Sequence, residues 1–111
     1  MNSSINIDHT IIEVIHMSLN VTHQLALLHD ILDEQVINNM GTVAEYEQIK
    51  RLVKEMMAKN KITDEQLLQI LPEVYNYGLQ GVIAQSLPEH ITSHLESLEN
   101  WKNIIDVDGH T

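Results

Sequence analysis

Gly41-Thr42-Val43-Ala44-Glu45-Tyr46-Glu47-Gln48-Ile49-Lys50-Arg51-Leu52-Val53-Lys54-Glu55-Met56-Met57-Ala58-Lys59 is the stretch that decides the fold. Thr42 and Glu45 stand in a T-x-x-E relation. The Thr42 hydroxyl can accept from the backbone N–H three residues on, and the Glu45 carboxylate can reach back to the Thr42 N–H. Val43, Tyr46, Ile49, Val53 and Met56 then recur at steps of three and four, with Leu52 and Met57 beside them, as one apolar stripe of an α-helix does. Acids at the front (Glu45, Glu47) and bases at the rear (Lys50, Arg51, Lys54, Lys59) complement the helix dipole. Glu47–Arg51 and Glu55–Lys59 are i,i+4 pairs in the favourable orientation, each contributing about 0.2–0.5 kcal/mol. The other elements are expected to pack around this helix.

Upstream, Asn20 is a good N-cap. Leu25, Leu28 and Leu32, widened by Val21, Leu27 and Ile31, predict a helix over about residues 20–36. Asn38-Asn39-Met40-Gly41 stops it with residues that tolerate the left-handed conformation. Downstream, Thr63-Asp64-Glu65-Gln66 is a second capping box, opening a helix that carries Leu67, Leu68, Ile70, Leu71, Val74, Tyr75 and Tyr77. Pro72 lies inside that pattern, removes one N–H and crowds the preceding turn, so a break or kink is expected there. Gly78 reads as a stop, and residues 78–85 as a connection with a buried tip at Val82-Ile83. Ser86 and Glu89 form a third capping box with Pro88 in the first turn. Ile91, Leu95, Leu98, Trp101 (or Lys102) and Ile105 continue it as a last helix. The pattern predicts an all-α fold: a small antiparallel bundle of about four helices, the third broken at Pro72.

A chain of 111 residues makes one domain, and the aromatic content (three Tyr, one Trp, no Phe) requires an aliphatic core. The absence of cysteine excludes disulfides, thiolate metal sites and a thiol nucleophile, and suits a cytoplasmic location. The net charge of −10 argues against binding to nucleic acid or an anionic membrane, and the uncharged span 74–88 is too short and too polar to cross a bilayer. Residues 1–16 form a polar, then apolar leader. Glu13-Val14 can be encoded by GAG-GTG, which resembles a ribosome-binding site just ahead of Met17. The expected organisation is a non-native or flexible leader over 1–16, one helical domain over 17–105 and a frayed tail over 106–111.

Two blocks carry a resemblance. One is His23-Gln24-Leu25-x-Leu27-Leu28-x-Asp30-Ile31-Leu32; the other is Gly41-Thr42-Val43-Ala44-Glu45-x-Glu47-Gln48-x-x-Arg51-Leu52-Val53-Lys54. A weaker match lies around His90-Ile91-x-x-His94 and Trp101. Over about residues 18–105 the chain resembles the YtzH-like family, small helical proteins of bacilli. The resemblance implies a fold and a lineage and supplies no substrate. Members of that family often carry cysteines just before the glycine; Asn39 and Met40 stand there in this chain, which speaks against a thiol-based role.

His90 and His94 are four residues apart, on one helix face, as a two-ligand metal site needs. The segment between them lacks the glutamate of H-E-x-x-H, and further ligands would have to come from elsewhere, such as His23 or His29. The more ordinary reading is exposed or locally bonded histidines. Asp30, Asp33 and Glu34 oppose the dipole at the end of the first helix and are expected to pair with the bases of the second. Met40, Met56 and Met57 with Tyr46 are expected in the core rather than on an adaptable surface. Isolated glycines make no phosphate loop, and no cofactor motif is present. The expected function is therefore a non-enzymatic interaction or regulatory module, with an unknown protein partner or with itself. Its candidate surface is Lys50, Arg51, Lys54 and Trp101; the alternative is a metal-binding helical protein using His90 and His94. Thr42→Ala is expected to cost about 0.5–2 kcal/mol by removing the helix cap; an unchanged midpoint of urea denaturation would show that the cap is not formed.

Overall fold

The computed structural model describes residues 20–109, and their side chains to residue 105; residues 1–19, which include the expected leader, and residues 110–111 lie outside the described residues. The fold is all-α. In chain order come α1 (Val21–Asn38), α2 (Val43–Lys59), α3 (Glu65–Ile83), the six-residue α4 (Leu87–Thr92) and α5 (Leu95–Gly109). The four longer helices form the expected small bundle. α2 packs most extensively on α3 and α1 on α5, while α1–α2 and α3–α5 contacts complete the ring.

Side-chain caps start these helices where the sequence places polar residues. Asn20 Oδ1 accepts from the His23 N–H at 2.8 Å, Thr42 Oγ1 from Glu45 at 3.1 Å and Ser86 Oγ from Glu89 at 3.4 Å. The second expected box shifts by one residue: Asp64, not Thr63, is the cap, its carboxylate accepting from the Leu67 N–H at 3.0 Å. A charged acceptor at the positive end of a helix makes the stronger bond. Asn39 and Asn60 end α1 and α2 in the left-handed conformation, at φ 49° and 55°. That turns the chain back on itself twice without a glycine.

Hydrogen bonds between α1 and α2 define an antiparallel register. Gln24 Nε2 donates to Glu55 at 3.2 Å, Lys59 Nζ donates to Gln24 Oε1 at 3.1 Å, and Gln35 Nε2 donates to Glu45 at 3.2 Å. The end of α1 therefore lies beside the start of α2, not its basic rear, and the expected pairing of Asp30, Asp33 and Glu34 with α2 is corrected. Asp33 instead takes Lys102 of α5 at 2.7 Å. That hydrogen bond holds the Asp33 carboxyl below the usual range and the Lys102 ammonium above its own. Lys50 pairs with Glu47, at 3.2 Å, in place of the expected Arg51.

α3 departs furthest from expectation. It runs unbroken from Glu65 to Ile83, through both Pro72 and Gly78. An interior proline costs about 3 kcal/mol. Leu67, Ile70 and Leu71 before it and Val74 and Tyr77 after it are all buried in the same core. Each such side chain contributes about 1.5–3 kcal/mol on burial, so continuity outweighs the lost bond. Pro72 also faces outward, beside an exposed turn. Gly78 and Gly81 do not end the helix, because they are where α2 approaches it. A Cβ on Gly78 would stand 3.0 Å from Lys50 Cγ and 3.1 Å from the Tyr46 carbonyl oxygen; one on Gly81 would overlap the Tyr46 ring. The tip expected to be buried ends instead on Ile83, 76% exposed.

The last helix is divided. Thr92 Oγ1 donates to the Pro88 carbonyl at 2.9 Å, and Ser93 Oγ and His94 Nδ1 both donate to the His90 carbonyl, at 3.0 and 2.8 Å. Side chains thus compete with the backbone ladder at the joint between α4 and α5. Ile91, Leu98, Trp101 and Ile105 remain buried on either side of it. On α2, Tyr46, Ile49, Leu52, Val53 and Met56 are fully buried, whereas Val43, Met57 and the preceding Met40 are exposed, correcting their expected place in the core. Gly81→Ala improves intrinsic helix propensity, yet it is expected to destabilise by about 1–3 kcal/mol through overpacking against Tyr46. A urea midpoint equal to or above wild type would contradict the close approach.

Candidate functional site

The chemically versatile side chains converge on Tyr77. Its ring stacks on His90, with centroids 4.6 Å apart and planes 12° from parallel. Tyr46, His94 and Trp101 meet it edge-on at 5.3, 5.2 and 5.6 Å. The Tyr77 hydroxyl donates to Gln35 Oε1 at 2.7 Å, so the Tyr46 hydroxyl, 3.2 Å away, must donate to the Tyr77 oxygen. Gln35 Nε2 passes the chain on to the Glu45 carboxylate at 3.2 Å. A directed series of bonds thus runs from the core to a half-buried acid. Burial pushes both phenols above their ordinary pKa, which keeps them neutral donors.

His90 is buried, and its Nε2 lies 3.0 Å from the Tyr77 carbonyl oxygen, which fixes that nitrogen as the donor. Burial lowers its pKa and nearby His94 adds to this, against the opposing effect of the bond to Tyr77. The two imidazoles lie together, with centroids 4.6 Å apart. Each already gives a ring nitrogen to a backbone carbonyl. Among the described residues no group of three or more His, Cys, Asp or Glu is placed to hold a metal ion. What the structure assembles here is an aromatic core contact between α3, α4 and α5.

Of the surface candidates, Trp101 is corrected: it is 4% exposed, and its Nε1 donates to Glu73 Oε1 at 3.1 Å, tying α5 to α3. Lys50 lies half-buried over Gly78. Arg51 and Lys54 are exposed. Lys54 borders a groove of about 430 Å³ between α2 and α3, lined also by Met57, Pro72, Tyr75 and Asn76. A second hollow, of about 270 Å³, lies at the turn from α1 to α2 among Glu34, Asn38, Met40, Gly41, Thr42 and Glu45. Sequence reasoning missed the buried glutamines. The signal was present: positions 24, 28, 31 and 35 step by four, three and four, which puts Gln24 and Gln35 on the core-facing stripe of α1.

A compact bundle knit by a Tyr–Gln–His–Trp cluster is the class of protein that the fold and site define. The chain belongs to the YtzH-like protein family, whose match spans residues 19–105. A relative from Bacillus subtilis (strain 168), which bears the name Uncharacterized protein YtzH, is 39% identical over 90 residues, covering 81% of this chain and 97% of the relative. No solved structure matches this chain.

Burying His90 as the neutral ring makes stability depend on pH. The unfolded chain takes up a proton below about pH 6.5, where the folded chain resists it. The contribution is therefore complete above that value and is lost as pH falls toward the lowered folded pKa. Urea midpoints measured from about pH 7.5 down to about pH 5.5 are expected to fall. His90→Phe is expected to flatten the profile, and an equal slope in that variant would place the dependence elsewhere.

Proposed function

We propose that this chain is a non-enzymatic protein–protein interaction or regulatory module of the cytoplasm, engaging a protein partner or a second copy of itself. One observation carries the reading: Met57, Leu68, Leu79 and Ile83 remain exposed along α2 and α3, with the cation Lys54 beside Met57 and the exposed Arg51 one turn earlier on α2. Apolar side chains aligned in this way favour a contact surface over a solvated face. The cysteine-free composition suits a reducing compartment, and among the described residues no helix is long and apolar enough to cross a membrane. The net charge of −10 disfavours nucleic acid as the partner.

Native co-purification with mass spectrometry, run beside light scattering of the purified chain, tests this. A stoichiometric partner, or a dimer, is expected with the wild-type chain and is expected to be lost with Leu79→Lys and Ile83→Lys combined. A monodisperse monomer that retains no partner overturns the reading.

A further inference from the structure

The outer face of α3 is apolar along almost its whole length. Leu68 (47% exposed), Pro72, Tyr75, Leu79 (42%) and Ile83 follow one another at steps of four, three, four and four, so they form a single stripe. This stripe is separate from the inner face of Leu67, Ile70, Leu71, Val74 and Tyr77, which fills the core. A helix that is apolar on two faces has one of them left for a partner. From Leu68 to Ile83 the stripe is about 22 Å long, the length of a helix of about four turns. Met57 of α2 and Pro72 and Tyr75 of α3 make its middle concave.

Charge defines the occupant. On the α2 side, where Lys50 takes up the nearby Glu47, Lys54 lines the concave middle and Arg51 stands three residues before it on the same helix, both exposed. Among the described residues neither has an ion-pair or hydrogen-bond partner, although the whole chain carries a net charge of −10. Lys50, Lys59 and Lys102, by contrast, each hold an acceptor within the molecule. The other edge of the stripe carries Gln69, Asn76 and Gln80 together with the exposed acids Glu65 and Glu73, the latter accepting from Trp101, so an acidic flank is favoured on the α2 side alone. Pro72 also offers no N–H to the Leu68 carbonyl, so that acceptor lacks its usual partner one turn on.

We propose, resting on the interaction reading above, that the α2–α3 face receives an amphipathic helix from a protein partner. Its apolar side chains lie along Leu68, Pro72, Tyr75, Leu79 and Ile83, and its acidic flank meets Arg51 and Lys54. This is helix-in-groove recognition, in which apolar anchors supply affinity and flanking charges set orientation and partner choice.

The test uses the full chain and two fluorescent synthetic helices of about four turns. Both carry leucine at steps of three and four; one has glutamate along one flank, and the other has lysine at the same positions. Fluorescence anisotropy is expected to show the glutamate peptide binding about tenfold tighter than the lysine peptide, the size two exposed charge pairs produce when attraction replaces repulsion. Arg51→Glu and Lys54→Glu together are expected to reverse that order, and Leu79→Lys with Ile83→Lys to abolish binding of both. Circular dichroism checks that these exposed substitutions keep the fold. No binding of either peptide, or equal binding indifferent to the charge reversal, overturns the inference. So does binding to anionic vesicles that the Arg51→Glu, Lys54→Glu chain loses, which would make the face a lipid-binding one. Self-association through the same residues, with neither peptide bound, also overturns it while leaving the interaction reading intact. A monomer without a co-purifying partner removes that reading itself.

Discussion

Tyr46 and the gap it occupies on α3 set the spacing of the bundle. A rigid ring cannot be accommodated against an ordinary helix face at this distance. At Gly81 it finds a position with no Cβ, and at Gly78 the backbone and Lys50 close the approach. Once the ring is seated, its hydroxyl is buried and needs a partner, because an unpaired buried hydroxyl costs about 1–3 kcal/mol. Tyr77 provides that partner, Gln35 provides one for Tyr77, and Glu45 completes the sequence. One steric fit and three hydrogen bonds thereby lock the registers of α1, α2 and α3 together. His90, stacked on Tyr77 and bonded to its carbonyl, adds α4 to the same arrangement.

This dependence explains why α3 tolerates residues that usually interrupt helices. Its glycines are needed on the inside, and its proline sits outside, where the affected carbonyl lies on an exposed turn. The helix is held by the burial of its inner face, not by local propensity, which is weak across a segment with one proline and two glycines. Its outer face is then free of structural duty. Among the described residues, the exposed Leu68, Leu79 and Ile83 there make no core contact, and Arg51 and Lys54 of α2 have no acceptor.

Charge placement follows a similar division. The first helix ends in acids that its own dipole disfavours, and the long arm of Lys102 reaches across from α5 to offset one of them. The antiparallel turn could not bring the bases of α2 to that point, since it sets Gln35 against Glu45 and Gln24 against Glu55. The basic residues at the rear of α2 were thereby left with no structural demand from α1's acids. That is why Arg51 and Lys54 stand at a surface, while Trp101, grouped with them on chemical grounds, is held in the core by Glu73.

The all-α class, the starts of the longer helices to within a residue, the left-handed stop after the first of them and most of the core were legible in the sequence, because apolar spacing and capping side chains act within one or two turns. Tyr46, Ile49, Leu52, Val53 and Met56 could be placed in the core from their spacing alone. The uninterrupted course of α3 could not, because it depends on a ring from another helix that needs the room glycine leaves. The fate of His90 and His94 was also undecided at that level: helical spacing put them on one face, and only the position of Tyr77, 13 residues away from His90, turned that face inward. The sequence by itself determined where the longer helices begin and most of the residues they can bury, since these are local matters of periodicity and capping. The tertiary structure decided which polar groups are consumed in the core and which face is left over, because hydrogen-bond partners and close approaches are settled between helices, where registers of whole elements are chosen together.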